Sequence, residues 1–141
     1  MKREIKAVGL ANAPCFVGGV HLLGEWYGCQ GVSALLEDAN KLRHICLDAA
    51  EEVGLTIVGD RFHQFAPAGV TGTVLLAESH LAVHTWPEVM TATVDVFICN
   101  HTRDNRARAQ AVYAALRDTL APDKENFLQI NRGGLVGAEM Q

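Results

Sequence analysis

The residues best suited to chemistry lie together in residues 75–88 (LLAESHLAVHTWPE). This short segment carries a serine, two histidines, a tryptophan and two glutamates in an otherwise apolar region. Polar and titratable groups in such a setting are destabilising unless they are paired. Clusters of this kind are therefore candidates for a functional site. The six positions are Glu78, Ser79, His80, His84, Trp86 and Glu88.

One chemistry that the spacing permits is metal binding. His80, His84 and Glu88 are four residues apart, so a helix would present all three on one face, where they could bind zinc. The β-branched residues around them and Pro87 favour a strand instead, in which four residues span about 13 Å. Two ligands that far apart do not reach one ion, so we expect no metal site here.

A serine hydrolase is a second possibility, because Ser79, a histidine and a carboxylate are all available. The G-x-S-x-G elbow that usually exposes such a serine is absent. Strand alternation is more informative, since it places His80, His84 and Trp86 on one face of a sheet. The simplest interpretation of these side chains is packing in a core or an interface.

Two amphipathic helices are predicted around this cluster. The first has apolar residues at three- and four-residue steps from Leu35 to Val53, with Ser33 as a candidate N-cap and Gly54 at its C-terminal end. The second is capped by Asp104 and is ended by a proline at position 122.

Strands are predicted where β-branched and apolar residues alternate or cluster between turn residues. The first is interrupted by Gly24. Their bounds are residues 21–29, 55–65, 70–77, 80–86, 91–99 and a short last strand at 127–131.

The elements are summarised as β-α-β-β-β-α-β, an α+β two-layer sandwich with two helices on one face of a largely antiparallel sheet. The other face of the sheet stays bare unless a second subunit covers it, which indicates a dimer. Residues 1–18 are expected to form a loose arm, and residues 19–141 a single domain.

Composition excludes several classes of protein. A net charge of −4 without a basic run excludes a broad nucleic-acid-binding surface. No stretch approaches the roughly 18 uninterrupted apolar residues of a membrane span. The four cysteines form no C-x-x-C pair and no secretion signal accompanies them, so we expect reduced thiols in a cytoplasmic protein.

Glu78-Ser79-His80 followed by residues 84–88 (HTWPE) closely resembles the signature of the prokaryotic S-adenosylmethionine decarboxylases, a pyruvoyl-dependent family. The similarity covers about residues 19–133. It continues in residues 21–29 (HLLGEWYGC), 62–65 (FHQF) and 94–99 (VDVFIC).

The resemblance implies a proenzyme that cuts itself between Glu78 and Ser79, giving a β chain of residues 1–78 and an α chain of residues 79–141. Ser79 would become a covalent pyruvoyl group, so no external cofactor is required. This ketone would form a Schiff base with the substrate amine and accept the electrons released on decarboxylation.

The resemblance also implies roles for three residues around Ser79. His84 corresponds to the family's processing histidine, which removes the α-proton during cleavage. Thr71 stands where the family usually has a serine that assists processing, and it keeps the hydroxyl. Cys99 corresponds to the acid that reprotonates the substrate carbon.

The implied substrate is S-adenosylmethionine, a small molecule decarboxylated for polyamine (spermidine) synthesis. Phe65 and Trp86 align with family residues that stack on the adenine, and Glu88 aligns with the carboxylate that holds the ribose hydroxyls. The family pattern also implies a homodimer of processed protomers.

The sequence departs from the family around the implied substrate pocket. Val89, Met90 and Thr91 replace a glycine and a tyrosine, Asn100 replaces a glycine, and Ala68 replaces a bulkier residue. Two alternatives therefore stay open. One is a pyruvoyl-dependent ornithine or arginine decarboxylase, and the other is a catalytically inactive regulatory relative.

Overall fold

The computed structural model describes residues 18–100 and 103–133. The predicted loose arm, apart from Gly18, and the tail after Gly133 lie outside the described residues. The helices and strands, in chain order, are β1 (Gly19–Cys29), α1 (Ala34–Glu37), α2 (Ala39–Glu52), β2 (Ile57–Gln64), β3 (Val70–Leu76), β4 (Ser79–Trp86), β5 (Thr91–Cys99), α3 (Arg106–Leu120) and β6 (Pro122–Arg132). Four strands separate α2 from α3, so the predicted order β-α-β-β-β-α-β is one strand short.

The strands form one sheet in the order β2-β3-β4-β5-β1-β6, and each neighbouring pair is antiparallel. The helices pack on one face of this sheet, against a buried apolar core. The predicted α+β two-layer architecture is therefore confirmed. We call the sheet face opposite the helices the open face.

Alternation along β4 and β5 decides which side chains reach each face. Leu81, Val83 and Thr85 are buried towards the helices, whereas His80 and His84, which alternate with them, are only partly buried. β5 repeats the pattern in register with β4. The alternation predicted for the chemistry-bearing strand is therefore confirmed.

The first predicted helix is broken at Asp38. The Asp38 backbone is extended (φ −115°, ψ 116°), and its carboxylate accepts hydrogen bonds from the backbone N–H groups of Asn40 and Lys41 at 2.9 and 3.2 Å. Ser33 precedes only the four-residue α1, and its side chain makes no capping hydrogen bond. The prediction of Ser33 as cap of the long helix is thus wrong, because Asp38 serves that helix.

The start of α3 differs from the prediction in the same way. Asn105, not Asp104, occupies the N-cap position, and its side chain does not cap the helix. Asp104 still contributes, because its carboxylate accepts the Arg106 backbone N–H at 3.0 Å. The Asn105 side chain points elsewhere, towards the turn between β3 and β4.

The last strand is longer than predicted, and the first is not interrupted. β6 runs over Pro122–Arg132 and pairs with β1 along nearly its whole length. Gly24 continues β1, and a side chain there would collide with the Tyr113 hydroxyl. Tyr113 and buried Trp26 both donate to the Glu125 carboxylate, at 2.8 and 3.0 Å, which ties α3, β1 and β6 together.

No helix in the described ranges is long and apolar enough to cross a membrane.

The two cap positions give a direct stability test. Asp38→Ala removes two accepted hydrogen bonds from the first turn of α2, so we expect it to lower the free energy of unfolding by about 1 kcal/mol. Ser33→Ala is the matched control and should change it by less than about 0.5 kcal/mol. Urea denaturation at one protein concentration measures both. Equal effects of the two substitutions would contradict this assignment.

Candidate active site

The turn between β3 and β4 gives Ser79 a strained backbone conformation. Leu76 pairs with Ser79, which leaves Ala77 and Glu78 as the turn residues. Two-residue hairpin turns usually carry positive φ within the turn. Here the positive φ, 116°, falls on Ser79, in a region that residues with a side chain rarely adopt. Strain of this kind concentrates at functional sites, so the Glu78–Ser79 peptide bond is a candidate reaction centre.

The end of β5 supports this peptide bond. The backbone N–H of Cys99 donates to the Glu78 carbonyl oxygen at 3.0 Å. A donor in this position stabilises the negative charge that develops on a carbonyl oxygen during nucleophilic attack. Ser79 itself pairs with Ile98, so Cys99 is the next residue along β5. The structure therefore brings Glu78, Ser79 and Cys99 together, and we call these three residues the cleavage group.

The cysteines differ in how far water reaches them. Cys99 is a half-buried free thiol, whereas Cys29 and Cys46 are buried. Burial raises the pKa of the Cys46 thiol to about 12, which leaves it protonated and inert at neutral pH. Of these three, Cys99 is the thiol that is only partly buried.

Thr71 and His84 form a second pair further along the same hairpin. They are directly cross-strand, and the His84 ring Nδ1 lies 3.2 Å from the Thr71 hydroxyl oxygen. A hydroxyl at this distance fixes the orientation of the imidazole. The His84 ring also lies beside Trp86, with 6.5 Å between ring centroids.

The predicted substrate-binding residues surround this pair at the far end of the hairpin. Phe65 and Trp86 remain 46% and 42% exposed, although large aromatic side chains are usually well buried. Glu88 is also exposed, in a short 3₁₀ turn that follows β4. Gly69 (φ 116°) lies between Phe65 and the proline of that turn, and its carbonyl accepts the Phe65 N–H at 2.9 Å.

We call these five residues the His84 group: Phe65, Thr71, His84, Trp86 and Glu88. The group is well separated from the cleavage group within one chain. Ser79 and His84 are five residues apart on one continuous strand, which corresponds to about 16 Å. The predicted site residues thus fall into two sets at opposite ends of the β3–β4 hairpin. His84 does not reach Ser79 of its own chain.

A cluster on the open face lies between these two groups. His21 and Asp95 are 3.3 Å apart, and the His21 ring lies near His80 and Phe97. Burial, and next the nearby His21, lower the pKa of His80 below its ordinary value. The sequence argument did not single out His21 or Asp95, although strand alternation places both on the open face.

The zinc alternative needs a helix that the structure does not contain. β4 is a strand, so His80 and His84 are not stacked on one helical face with Glu88. Over residues 18–100 and 103–133, no three His, Cys, Asp or Glu side chains are grouped to hold a metal ion.

Sequence reasoning also missed Asn105, whose side chain is fully buried. Its amide nitrogen donates to the Glu78 carboxylate and, at 2.9 Å, to the Cys99 carbonyl. The only sequence signal was an asparagine beside the predicted helix cap Asp104, and that signal indicates a cap rather than a site residue.

The lowered pKa of His80 predicts how the stability of the folded chain depends on pH. His80 binds its proton at a higher pH in the unfolded chain than in the folded one. As the pH falls through about 6.5, protonation therefore favours the unfolded state and the free energy of unfolding decreases. We expect the free energy of unfolding to decrease between about pH 7.5 and pH 5.5, and His80→Gln to weaken that decrease. Denaturant titrations across this range measure it, with His44→Gln on the surface of α2 as control. An unchanged slope in His80→Gln would contradict the prediction.

Comparisons with known proteins identify the family to which the chain belongs. The family model for S-adenosylmethionine decarboxylase matches residues 20–133. A Thermodesulfovibrio yellowstonii protein named S-adenosylmethionine decarboxylase proenzyme is 42% identical over 97 residues, 69% of this chain and 70% of the relative. A Methanococcus aeolicus protein of the same name is 36% identical over 118 residues, 84% of this chain and 96% of the relative. The crystal structure of the adenosylmethionine decarboxylase from Aquifex aeolicus superposes with a TM-score of 0.74 at 32% identity, covering 82% of this chain and 91% of that one. This chain belongs to the S-adenosylmethionine decarboxylase family.

Proposed function

We propose that this chain is a self-processing, pyruvoyl-dependent decarboxylase of S-adenosylmethionine that serves polyamine synthesis. The observation that carries the proposal is the geometry of the Glu78–Ser79 bond. Ser79 is held at a positive φ, and the Glu78 carbonyl already accepts a hydrogen bond from the Cys99 N–H at 3.0 Å. Membership of the family supports the same reaction.

The proposed cleavage uses the Ser79 hydroxyl first as nucleophile and then as leaving group. Its oxygen attacks the Glu78 carbonyl carbon, the C–N bond breaks, and an ester and a free amine remain. The Cys99 N–H stabilises the oxyanion that forms during this attack. A base then removes the Ser79 α-proton and the Cβ–O bond breaks, which releases the Glu78 carboxylate. Water hydrolyses the remaining dehydroalanine to ammonia and the pyruvoyl ketone.

The residues around Ser79 fit the pyruvoyl group that this reaction leaves. A ketone at this position supplies the electron sink that decarboxylation of an amino acid needs. Cys99 lies one residue from the cross-strand partner of Ser79, and its half-buried thiol is placed to return a proton to the substrate carbon. No external cofactor or metal is part of the proposal.

The backbone around Glu88 supports the nucleoside substrate despite the changed residues. Met90 adopts φ 51°, a conformation that suits the glycine found there in the family. Its carbonyl accepts the Cys29 N–H at 2.9 Å, and its own N–H donates to Pro87 at 3.0 Å. The turn that presents Glu88 is therefore held by hydrogen bonds of the Met90 backbone, which do not depend on the side chain at this position.

The active unit that we propose is a homodimer with the open faces together. Large apolar side chains on this face remain exposed, among them Tyr27, Leu75, Leu128 and Ile130. Exposed apolar surface of this kind marks an interface. Ser79 and His84 are too far apart within one chain to act together. A second copy would overcome this distance, because it can bring its His84 to the Ser79 of its neighbour. In this arrangement each active site takes the cleavage group from one protomer and the His84 group from the other.

Shared sites predict that two inactive variants rescue each other. Ser79→Ala has no nucleophile and His84→Ala has no processing base, so each alone should remain a single chain of 141 residues. Co-expressed, they form one intact site from the Ser79 of one chain and the His84 of the other. Denaturing mass spectrometry should then show fragments of 78 and 63 residues, the second with a blocked pyruvoyl end, from the His84→Ala chain.

Two controls make this result decisive. The wild-type chain alone must give both fragments, since an intact wild-type chain would remove the proposed function. An unprocessed mixture beside a processed wild type would instead show that Ser79 and His84 act within one chain.

The substrate is tested by release of labelled carbon dioxide from S-adenosylmethionine, ornithine and arginine, assayed side by side. We expect release from S-adenosylmethionine alone. Glu88→Gln should raise KM for it about tenfold or more with less change in kcat, because a charged acceptor for the ribose hydroxyls is lost. Glu51→Gln, an exposed change on α2, is the control. Release from ornithine or arginine instead would keep the pyruvoyl chemistry and overturn the substrate assignment.

A further inference from the structure

We infer that Asn105 is a positioning residue for self-cleavage, which holds the Glu78–Ser79 bond in its reactive geometry. The inference rests on the proposed function, because it concerns the rate of that cleavage. It adds a residue from the start of α3, an element that carries none of the other site residues. Asn105 would act through Glu78 and Cys99 and does not touch the substrate.

The contacts of Asn105 join Glu78, on the N-terminal side of the reacting bond, to Cys99 at the end of β5. Its side-chain nitrogen donates to the Glu78 carboxylate and to the Cys99 carbonyl, the latter at 2.9 Å. Cys99 in turn donates its backbone N–H to the Glu78 carbonyl at 3.0 Å. The Asn105 amide and the Cys99 peptide therefore hold the Glu78 residue by its side chain and its carbonyl at once.

The position of Asn105 is itself fixed from two directions. Its backbone N–H donates to the Asn100 side-chain oxygen at 2.8 Å, and its carbonyl accepts the Ala109 N–H at 2.9 Å in the first turn of α3. The residue is completely buried. Asn100, a departure from the family glycine, thus anchors the residue that contacts the cleavage turn.

Helix capping does not explain the orientation of this side chain. A capping asparagine uses its oxygen to accept a backbone N–H of the first turn. The Asn105 oxygen is buried and has no hydrogen-bond partner within the described residues, although burial of such an oxygen is unfavourable. The amide has instead turned its donor group to Glu78 and Cys99, so those contacts determine its orientation.

Loss of these contacts would remove one restraint on the turn, whose Ala77 N–H still donates to the Thr56 carbonyl at 2.9 Å. A cavity of about 520 Å³ lies beside it, lined by Thr56, Leu76, Ala77, Glu78 and Arg103 among others. The Glu78 side chain borders this space, so it has room to shift when the Asn105 donor is removed. The positive φ of Ser79 could then relax, and a small misplacement of a nucleophile lowers its rate strongly.

The test follows the first-order disappearance of freshly synthesised full-length precursor into its two fragments. Asn105→Ala removes both donated hydrogen bonds and keeps the backbone contacts, so we expect cleavage to slow about tenfold or more. Val112→Ala is the matched control, because it destabilises the core side of α3 without touching the cleavage turn. It should cleave at close to the wild-type rate despite a lower Tm.

A second variant separates positioning from stability. Asn105→Asp keeps the size of the side chain but places a carboxylate against that of Glu78. Two neighbouring carboxylates raise the pKa of one of them, so as the pH falls from 8 to about 5.5 a growing share of the pairs carries a proton, and a protonated Asp can donate one hydrogen bond. The rate of this variant relative to wild type should therefore rise several-fold between pH 8 and pH 5.5.

Three results would overturn the inference. One is an Asn105→Ala rate within about twofold of wild type. Another is a cleavage rate for Asn105→Ala that falls no further than that of Val112→Ala when the two variants lose the same amount of Tm. The third is a rate ratio for Asn105→Asp that does not change with pH. Failure of the wild-type chain to cleave is a different outcome, which removes the proposed function and the inference with it.

Discussion

The register of β4 between β3 and β5 is the constraint on which the rest of the structure depends. A shift of one residue would turn Leu81 and Val83 to the open face and bury His84. The Thr85 hydroxyl helps to prevent this shift, because it donates to the Leu36 carbonyl at 2.6 Å and accepts the Val70 N–H at 2.9 Å. One buried side chain thus fixes β4 to a helix and to a neighbouring strand at once.

The same rigid sheet explains why the site is divided. Its helix side is covered by an apolar core, and β4 is hydrogen-bonded to β3 and β5 in an unbroken register from Ser79 to His84. A strand held in this way cannot bend to bring His84 back to Ser79. The homodimer proposed above would supply both groups to one site, with the exposed apolar side chains of the open face at the contact between the two sheets.

The elements that sequence reasoning identified are those specified by local pattern. The alternation of apolar and polar residues predicted which side chains of β4 face the core. The spacing of apolar residues predicted the two long helices. Features that depend on distant partners were missed. β6 is largely polar, for instance at Lys124, and becomes a long strand because it pairs with β1. The apolar stripe runs across Asp38 without a sign of the break, and nothing local indicates that Asn105 faces the β3–β4 turn.

The order of the strands has a consequence for the processed protein. A cut in the β3–β4 turn leaves β1, β2 and β3 on one fragment and β4, β5 and β6 on the other. β1 nevertheless lies between β5 and β6, so the two fragments interlock within one sheet. They stay associated until several hydrogen-bonded ladders open together. Once separated by denaturant, the fragments must meet again in a second-order reaction, so recovery depends on concentration and thermal inactivation behaves as a rate rather than an equilibrium.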